Sequence, residues 1–195
     1  ANESSTITLS AGSTPFDFSS ALNTLAASPS LPSVYEVRVK MSLNAANNQR
    51  CSLAISSTAG TAGAWDFAVQ LYRVNSSATT YTIQKRVSTG ASGLGSNVNI
   101  PIGTYGTYSE QVPFLIRITD AGAGNPSRVQ VSLNEGETWF YDSESDGDLP
   151  NGWRFPNASR FIFFDSAPGG GAATWDDLSI TWISGPTVEN LVWTG

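Results

Sequence analysis

The densest group of ionisable side chains in this 195-residue chain is the run DSESDGD, which spaces Asp142, Glu144, Asp146 and Asp148 two residues apart. Acids alternating with small residues in a turn can offer oxygens to a hard cation. Asp142, Glu144, Asp146 and Gly147 stand at positions one, three, five and six of a calcium-binding loop. The twelfth position is Trp153, where a bidentate Glu is needed, and strand-like rather than helix-like sequence flanks the run. The four acids are thus candidate ligands for a structural Ca²⁺, set against a solvated acidic loop. Hydrolysis of a glycosidic bond asks for two carboxyl groups about 5–10 Å apart, and this alternation marks out no such pair. The chain has no histidine. That removes the commonest general base, every Ser-His or Cys-His pair and most zinc sites. Cys51 stands alone, in phase with Leu53 and Ile55, and reads as a buried thiol rather than a nucleophile.

Recognition of a sugar in water uses flat aromatic faces, with amides and charged groups around them for the hydroxyls. Trp65 follows a Gly/Ala loop, Gln70 and Tyr72 share the outward phase of one strand, Trp153 lies in PNGWRF, and Trp175 falls outward on the last long strand. These are candidate ligand-binding residues. Arg38, Lys40, Arg86, Arg117 and Arg128, half of the ten basic residues, also take outward positions. Sharing one sheet, they would form a basic stripe suited to uronate or sulfated polysaccharide. Of these, Arg38, Arg86 and Arg117 are added to the candidate set. The alternative is that exposed strand faces simply carry long polar side chains.

Composition bounds the function classes. Hydrophobic residues make up 40% of the chain and charged residues 13%, about half the usual charged share. Ser, Thr, Asn and Gly must therefore supply the polar surface, as they often do in secreted β-proteins. Six Trp, nine Phe and six Tyr exclude a disordered chain. A net charge of −6 argues against nucleic acid as a partner. No apolar run approaches the roughly 20 residues that a membrane-spanning helix needs, so no membrane insertion is expected. The start lacks a positive region followed by an apolar one, so any secretion signal is expected to have been removed.

Alternation with period two runs through the chain. VYEVRVKMSL puts Tyr35, Val37, Val39, Met41 and Leu43 on one face. WDFAVQLYRV groups Trp65, Phe67, Val69 and Leu71, and TYTIQKRV groups Tyr81, Ile83 and Val87. FLIRIT and RVQVSL repeat the scheme, with Arg117, Arg128 and Gln130 outward. RFIFFD is apolar on both faces, as a strand covered on each side is. In ATWDDLSITW, Leu178, Ile180 and Trp182 fall inward, and Asp176 points to the buried side. Turn-rich segments such as DAGAGNPS and APGGGA separate these runs. Only SSALNTLAAS, Ser19 to Ser28, reads as helix. About a dozen short one-faced strands predict two stacked antiparallel sheets with at most one short helix.

Within VSLNEGETWFYD, Ser132, Asn134, Gly136, Thr138 and Trp139 have the spacing of the Asp box of sialidases, with Asn for Asp. One box without propeller blades reads as a hairpin turn, with Trp139 packed beneath it. The order YEVRVKMSL, FLIRITDAG, SRVQVSLNEGETWF and FIFFDSAPGGGAATWDDLSITW resembles the concanavalin A-like, laminin-G-like jelly roll of lectins, glucanases and bacterial surface proteins. The resemblance covers roughly Val34 to Ile183 and implies an all-β jelly-roll sandwich, expected as a domain of residues 1–183, with a structural calcium near the closing strand, at Asp176 and Asp177. It also marks what is missing. The Gln-Ile-His strand of the alginate lyases of this fold and the Glu-x-Asp-x-x-Glu strand of its laminarinases are absent. The ending TVENLVWTG resembles the opening strand of Trp-containing β-repeats, so residues 184–195 are expected to be a linker or the start of a following module in a longer chain. The expected function is a non-catalytic, extracellular or cell-surface glycan-binding module. A structural or adhesive spacer is the alternative, and a carboxylate glycosidase or polysaccharide lyase the third.

Overall fold

The computed structural model describes residues 7–10, 16–17, 33–45, 49–57, 66–75, 77–87, 98–107, 110–146, 153–158, 160–166, 171–184 and 191–192. Apolar residues at every second position cannot be buried by one sheet alone, and the chain resolves this by stacking two antiparallel sheets. One sheet runs β1 (Ile7–Ser10), β13 (Gly171–Ser184), β3 (Ser33–Ala45), β8 (Val112–Asp120), β9 (Pro126–Ser132) and β10 (Tyr141–Asp142). β11 (Trp153–Arg154) also pairs with β9, and β14 (Leu191–Val192) with β13. The other runs β2 (Phe16–Asp17), β12 (Phe161–Ser166), β4 (Gln49–Ser56), β5 (Phe67–Arg73), β6 (Tyr81–Val87) and β7 (Val98–Tyr105). Among the described residues, the helical content is one 3₁₀ turn, Ser143–Ser145. The expected helix at 19–28 lies outside them. Over the described residues the protein is an all-β, two-sheet jelly-roll sandwich.

The expected inward faces form the core. Tyr35, Val37, Val39, Met41 and Leu43 of β3 meet Cys51, Leu53, Ile55, Phe67, Val69, Leu71, Tyr81 and Ile83 from the facing sheet. β12 is covered on both sides: Ile162 and Phe164 enter this core, whereas Phe161 and Phe163 form a second apolar cluster with Ala54 and Ala68 on the outer face of the six-stranded sheet.

β13 departs from simple alternation. Asp176 pairs with Lys40 but Ser179 with Arg38, so one extra residue is inserted, and Asp177 takes a left-handed backbone at φ 53°. This bulge lets Trp175 and Leu178 both face inward, where an unbroken strand would send them to opposite sides. Trp175 is therefore core rather than an outward platform: it packs edge-on to Phe164 at 5.4 Å, and its Nε1 donates to the Ser52 carbonyl at 3.1 Å. Asp176 is only half-buried, not inward.

Among the described residues, two charge pairs run from one sheet to the other. Arg160, just before β12, donates from Nε and Nη2 to Asp120 at the end of β8, at 2.6 and 2.7 Å, and lies 4.0 Å over the Phe155 ring. Asp120 also accepts from the Tyr35 hydroxyl at 3.3 Å and the Gly122 amide at 2.9 Å. The second pair, Lys85 with Asp146, closes the side of the sandwich where β7 and β10 approach. There Gly103 of β7 leaves room for Phe140: a Cβ on it would stand 2.5 Å from the ring. The Tyr105 hydroxyl donates across to the Leu133 carbonyl at 3.0 Å.

Candidate functional site

The outer face of the six-stranded sheet gathers side chains suited to a polar ligand. Pairing sets Arg50 opposite Tyr72, Tyr72 opposite Thr82 and Thr82 opposite Thr104, a row across four strands. The next row holds Ser52, Gln70, Gln84 and Pro101, and the one beyond it Ala54, Ala68 and Arg86. Arg50, Tyr72, Thr82 and Arg86 are half-buried, and Thr104 and Pro101 exposed. Gln70 is fully buried, with its Oε1 accepting from the Ser52 hydroxyl at 2.9 Å, so it is part of the floor. Four residues separate Thr82 from Arg86, a span of roughly 13 Å along the strand. Among the described residues Arg50 Nε is buried with no hydrogen-bond partner, a donor that an acceptor at this face would satisfy.

The structure thus brings together three expected site residues, Gln70, Tyr72 and Arg86, and adds Arg50 and Gln84. Trp65 lies outside the described residues. Trp153 and Trp175 are corrected from platforms to core residues, each 1% exposed. Trp153 stacks edge-on against Phe67 at 4.6 Å and donates from Nε1 to the Tyr141 hydroxyl at 3.1 Å.

The basic stripe is divided. Arg86 lies on the six-stranded sheet, whereas Arg38, Lys40, Arg117 and Arg128 lie on the outer face of the other, where carboxylates meet them. Glu36, 2% exposed, is clamped by Arg38 at 2.6 Å and by Arg117 at 2.6 and 2.9 Å. Arg117 also lies over the Trp139 ring, 4.6 Å from its centroid. Lys40 pairs with Asp177 at 2.6 Å. Arg128 grips Asp142 through Nε and Nη2 and reaches Glu144 at 3.0 Å. The face is a neutralised lattice of ion pairs, not a positive track.

The acidic run is taken up in the same way. Asp142 is held by Arg128 and Gln130 and caps the 3₁₀ turn by accepting from the Glu144 amide at 3.1 Å. Its hydrogen bond to Arg128 lowers its ionisation below the usual carboxylate range. Asp146 turns instead to Lys85 and to the Tyr141 hydroxyl. Asp148 is outside the described residues. Among those described, no three acidic, cysteine or histidine side chains converge on one point. Asp142 and Glu144 thus meet Arg128, and Asp146 meets Lys85. On the closing strand, Asp177 is bound to Lys40, and Asp176 accepts from Gln111 at 3.3 Å and from the Asp177 amide at 3.0 Å.

The Asp-box residues do form a hairpin turn. Ser132 Oγ accepts from the Gly136 amide at 2.8 Å, and Asn134 Oδ1 accepts from the Thr138 amide at 3.0 Å. Glu135 and Gly136 take φ 58° and 90°. The motif turns a corner and presents no reacting group.

No protein-family model matches the chain, and no curated protein matches it. Solved structures similar to it include an alginate lyase from Alteromonas sp. 272, with TM-score 0.46 and 9% identity over 78% of this chain and 73% of that one. Others are the CBM2 module of the evolved Dit protein of Lactobacillus casei BL23 phage J-1 and a legume lectin-like domain from Entamoeba histolytica. Their TM-scores are 0.41 and 0.40, at 12% and 9% identity, over 93% of this chain and 70% and 79% of theirs. At such identities nothing of a site passes from one chain to the other.

Proposed function

We propose that the protein binds a polysaccharide, without cleaving it, on the outer face of its six-stranded sheet. The observation that supports this reading is the register that sets Arg50 directly opposite Tyr72, beside the Gln70–Gln84 row. Tyr72 supplies a ring face for the apolar side of a sugar, and Thr82 and Thr104 supply hydroxyls. Arg50 and Arg86, spaced along the strands, suit a chain bearing carboxylate or sulfate groups.

The test is retention on immobilised polysaccharides, uronates and sulfated glycans included, followed by calorimetry on whichever is retained. Tyr72→Ala and Arg50→Ala are each expected to weaken binding by roughly 5–30-fold, the equivalent of one to two kcal/mol. Arg117→Ala, on the other sheet, leaves it unchanged. Retention by no glycan, or equal losses from all three variants, overturns the proposal and leaves the spacer in front. The pairing of Tyr72 with Arg50 also favours a second reading, β-elimination on a uronate, with Arg50 neutralising the carboxylate and Tyr72 transferring the proton. Release of an unsaturated, ultraviolet-absorbing uronate, lost in Tyr72→Phe, would establish it.

A further inference from the structure

Lys85 breaks the apolar phase of β6. It follows Tyr81 and Ile83 on the inner face and is 2% exposed, among the largest fully buried side chains. Its Nζ meets Asp146 Oδ2, which comes from the chain just after the 3₁₀ turn of the opposite sheet. The Asp146 side chain is itself 7% exposed. The Tyr141 hydroxyl donates to the same Oδ2 at 2.5 Å, and Trp153 Nε1 donates to the Tyr141 oxygen at 3.1 Å. The Tyr141 ring centroid lies 5.4 Å from Nζ. Lys85 and Asp146 line a side cleft of about 370 Å³ together with Ile100, Ile102, Phe140 and Asp142.

An amine and a carboxyl group held together out of bulk water, with a donor fixed on one carboxyl oxygen, are the reactants of an amide condensation. We propose that Lys85 and Asp146 join as an intramolecular amide, a covalent tie between the two sheets. Proton transfer within the pair gives a neutral amine and a neutral acid whose proton sits on Oδ1, opposite the Oδ2 that Tyr141 meets. The Nζ lone pair then attacks Cγ, forming the N–C bond. Charge gathers on Oδ2, where the Tyr141 hydroxyl is already aimed. Burial first, then the hydrogen bond to Asp146, pushes the Tyr141 ionisation far upward, so the hydroxyl keeps its proton and remains a donor. The Cγ–Oδ1 bond breaks as Oδ1, already carrying the proton passed in the first step, takes a second proton from the nitrogen and leaves through the cleft as one water. Nothing is oxidised or reduced. Holding both partners in place replaces an unfavourable encounter by a single internal step, and the amide removes two buried charges.

The test is the intact mass of the purified, fully denatured protein, followed by peptide mapping. The expected result is a mass below that of the sequence by one water, with the Lys85 and Asp146 peptides recovered as one branched species. Lys85→Arg and Asp146→Ala regain the full mass. Asp146→Asn loses ammonia in place of water, and Tyr141→Phe slows conversion, seen as a larger unconverted fraction in freshly made protein. Full sequence mass in the unmutated protein overturns the proposal and leaves the pair as an ion pair only. So does a missing water that maps to a linear peptide and persists in Lys85→Arg, because Asp146 precedes Gly147 and an Asp-Gly step can lose water to a succinimide.

Discussion

Replacing Asp120 by Ala tests whether the Arg160 link is as demanding as its burial implies. The carboxylate is 3% exposed and accepts two hydrogen bonds from Arg160, one from the Tyr35 hydroxyl and one from the Gly122 amide. Arg160 is itself 11% exposed, so its charge cannot turn to bulk water when its partner goes. Removing one member of such a pair costs about 3–5 kcal/mol, most of it the penalty of an uncompensated buried charge. For a domain of this length each kcal/mol moves the melting temperature by roughly 2–4 °C, so Asp120→Ala is expected to melt about 6–20 °C lower. The assay is urea and thermal unfolding followed by tryptophan fluorescence. A companion variant, Asp120→Leu with Arg160→Met and Tyr35→Phe, replaces the whole polar group with apolar volume. It is expected to recover most of the loss, because an apolar set of similar size often matches a buried ion pair. A drop of less than about 1 kcal/mol in Asp120→Ala would refute the reasoning. So would a companion variant as unstable as the single one, since shape rather than charge would then set the cost.

Two carboxylates should impose opposite pH trends. The lowered ionisation of Asp142, caused chiefly by its hydrogen bond to Arg128, stabilises the fold above the unfolded value near ~3.9 and is lost as pH falls through the lowered folded value. Burial raises Asp66, so its charged form opposes folding, and that penalty is relieved as pH falls through the raised value towards ~3.9. Urea midpoints across acidic pH should therefore show the advantage of unmutated protein over Asp142→Asn shrinking on acidification, and that over Asp66→Asn growing. Gly103→Ala would drive a methyl against Phe140 and is expected to cost about 1–3 kcal/mol in urea unfolding. Phe140→Leu in the same chain should return part of it, by clearing the ring atoms 2.5 to 3.3 Å from the added Cβ.

The strands and their inner faces were legible because alternation is a local property, and the core face of β3 follows it at every position from Tyr35 to Leu43. Trp175 was not, because the bulge that turns it inward depends on a left-handed Asp177, and period-two phasing assumes no inserted residue. The adjacent Asp176 and Asp177 were the available signal, since Asp tolerates that conformation better than most residues. Trp153 belongs to a two-residue strand, too short for any period to place it. The acidic run suggested a cation loop because its spacing is local, whereas its partners come from elsewhere: Arg128 is 14 residues before Asp142, and Lys85 is 61 before Asp146. The arginines show the same limit. Alternation makes Arg86 and Arg117 outward, but only the sheet order sends them to opposite faces of the molecule. Lys85 left a sign in the sequence, a charged residue in the apolar phase of TYTIQKRV.

β7 is the last strand of its sheet among the described residues, and the outer side of such a strand is an open template for a neighbouring chain. This one makes a poor template. Its pairing with β6 shifts register between Ile83 and Gln84, opposite the Gly103–Pro101 stretch, and Pro101 has no amide hydrogen to offer an incoming strand. The same stretch is drawn towards the opposite sheet by the Tyr105 hydroxyl and the Phe140 contact. Copies crowded side by side would thus meet an edge that discourages growth into a continuous intermolecular sheet.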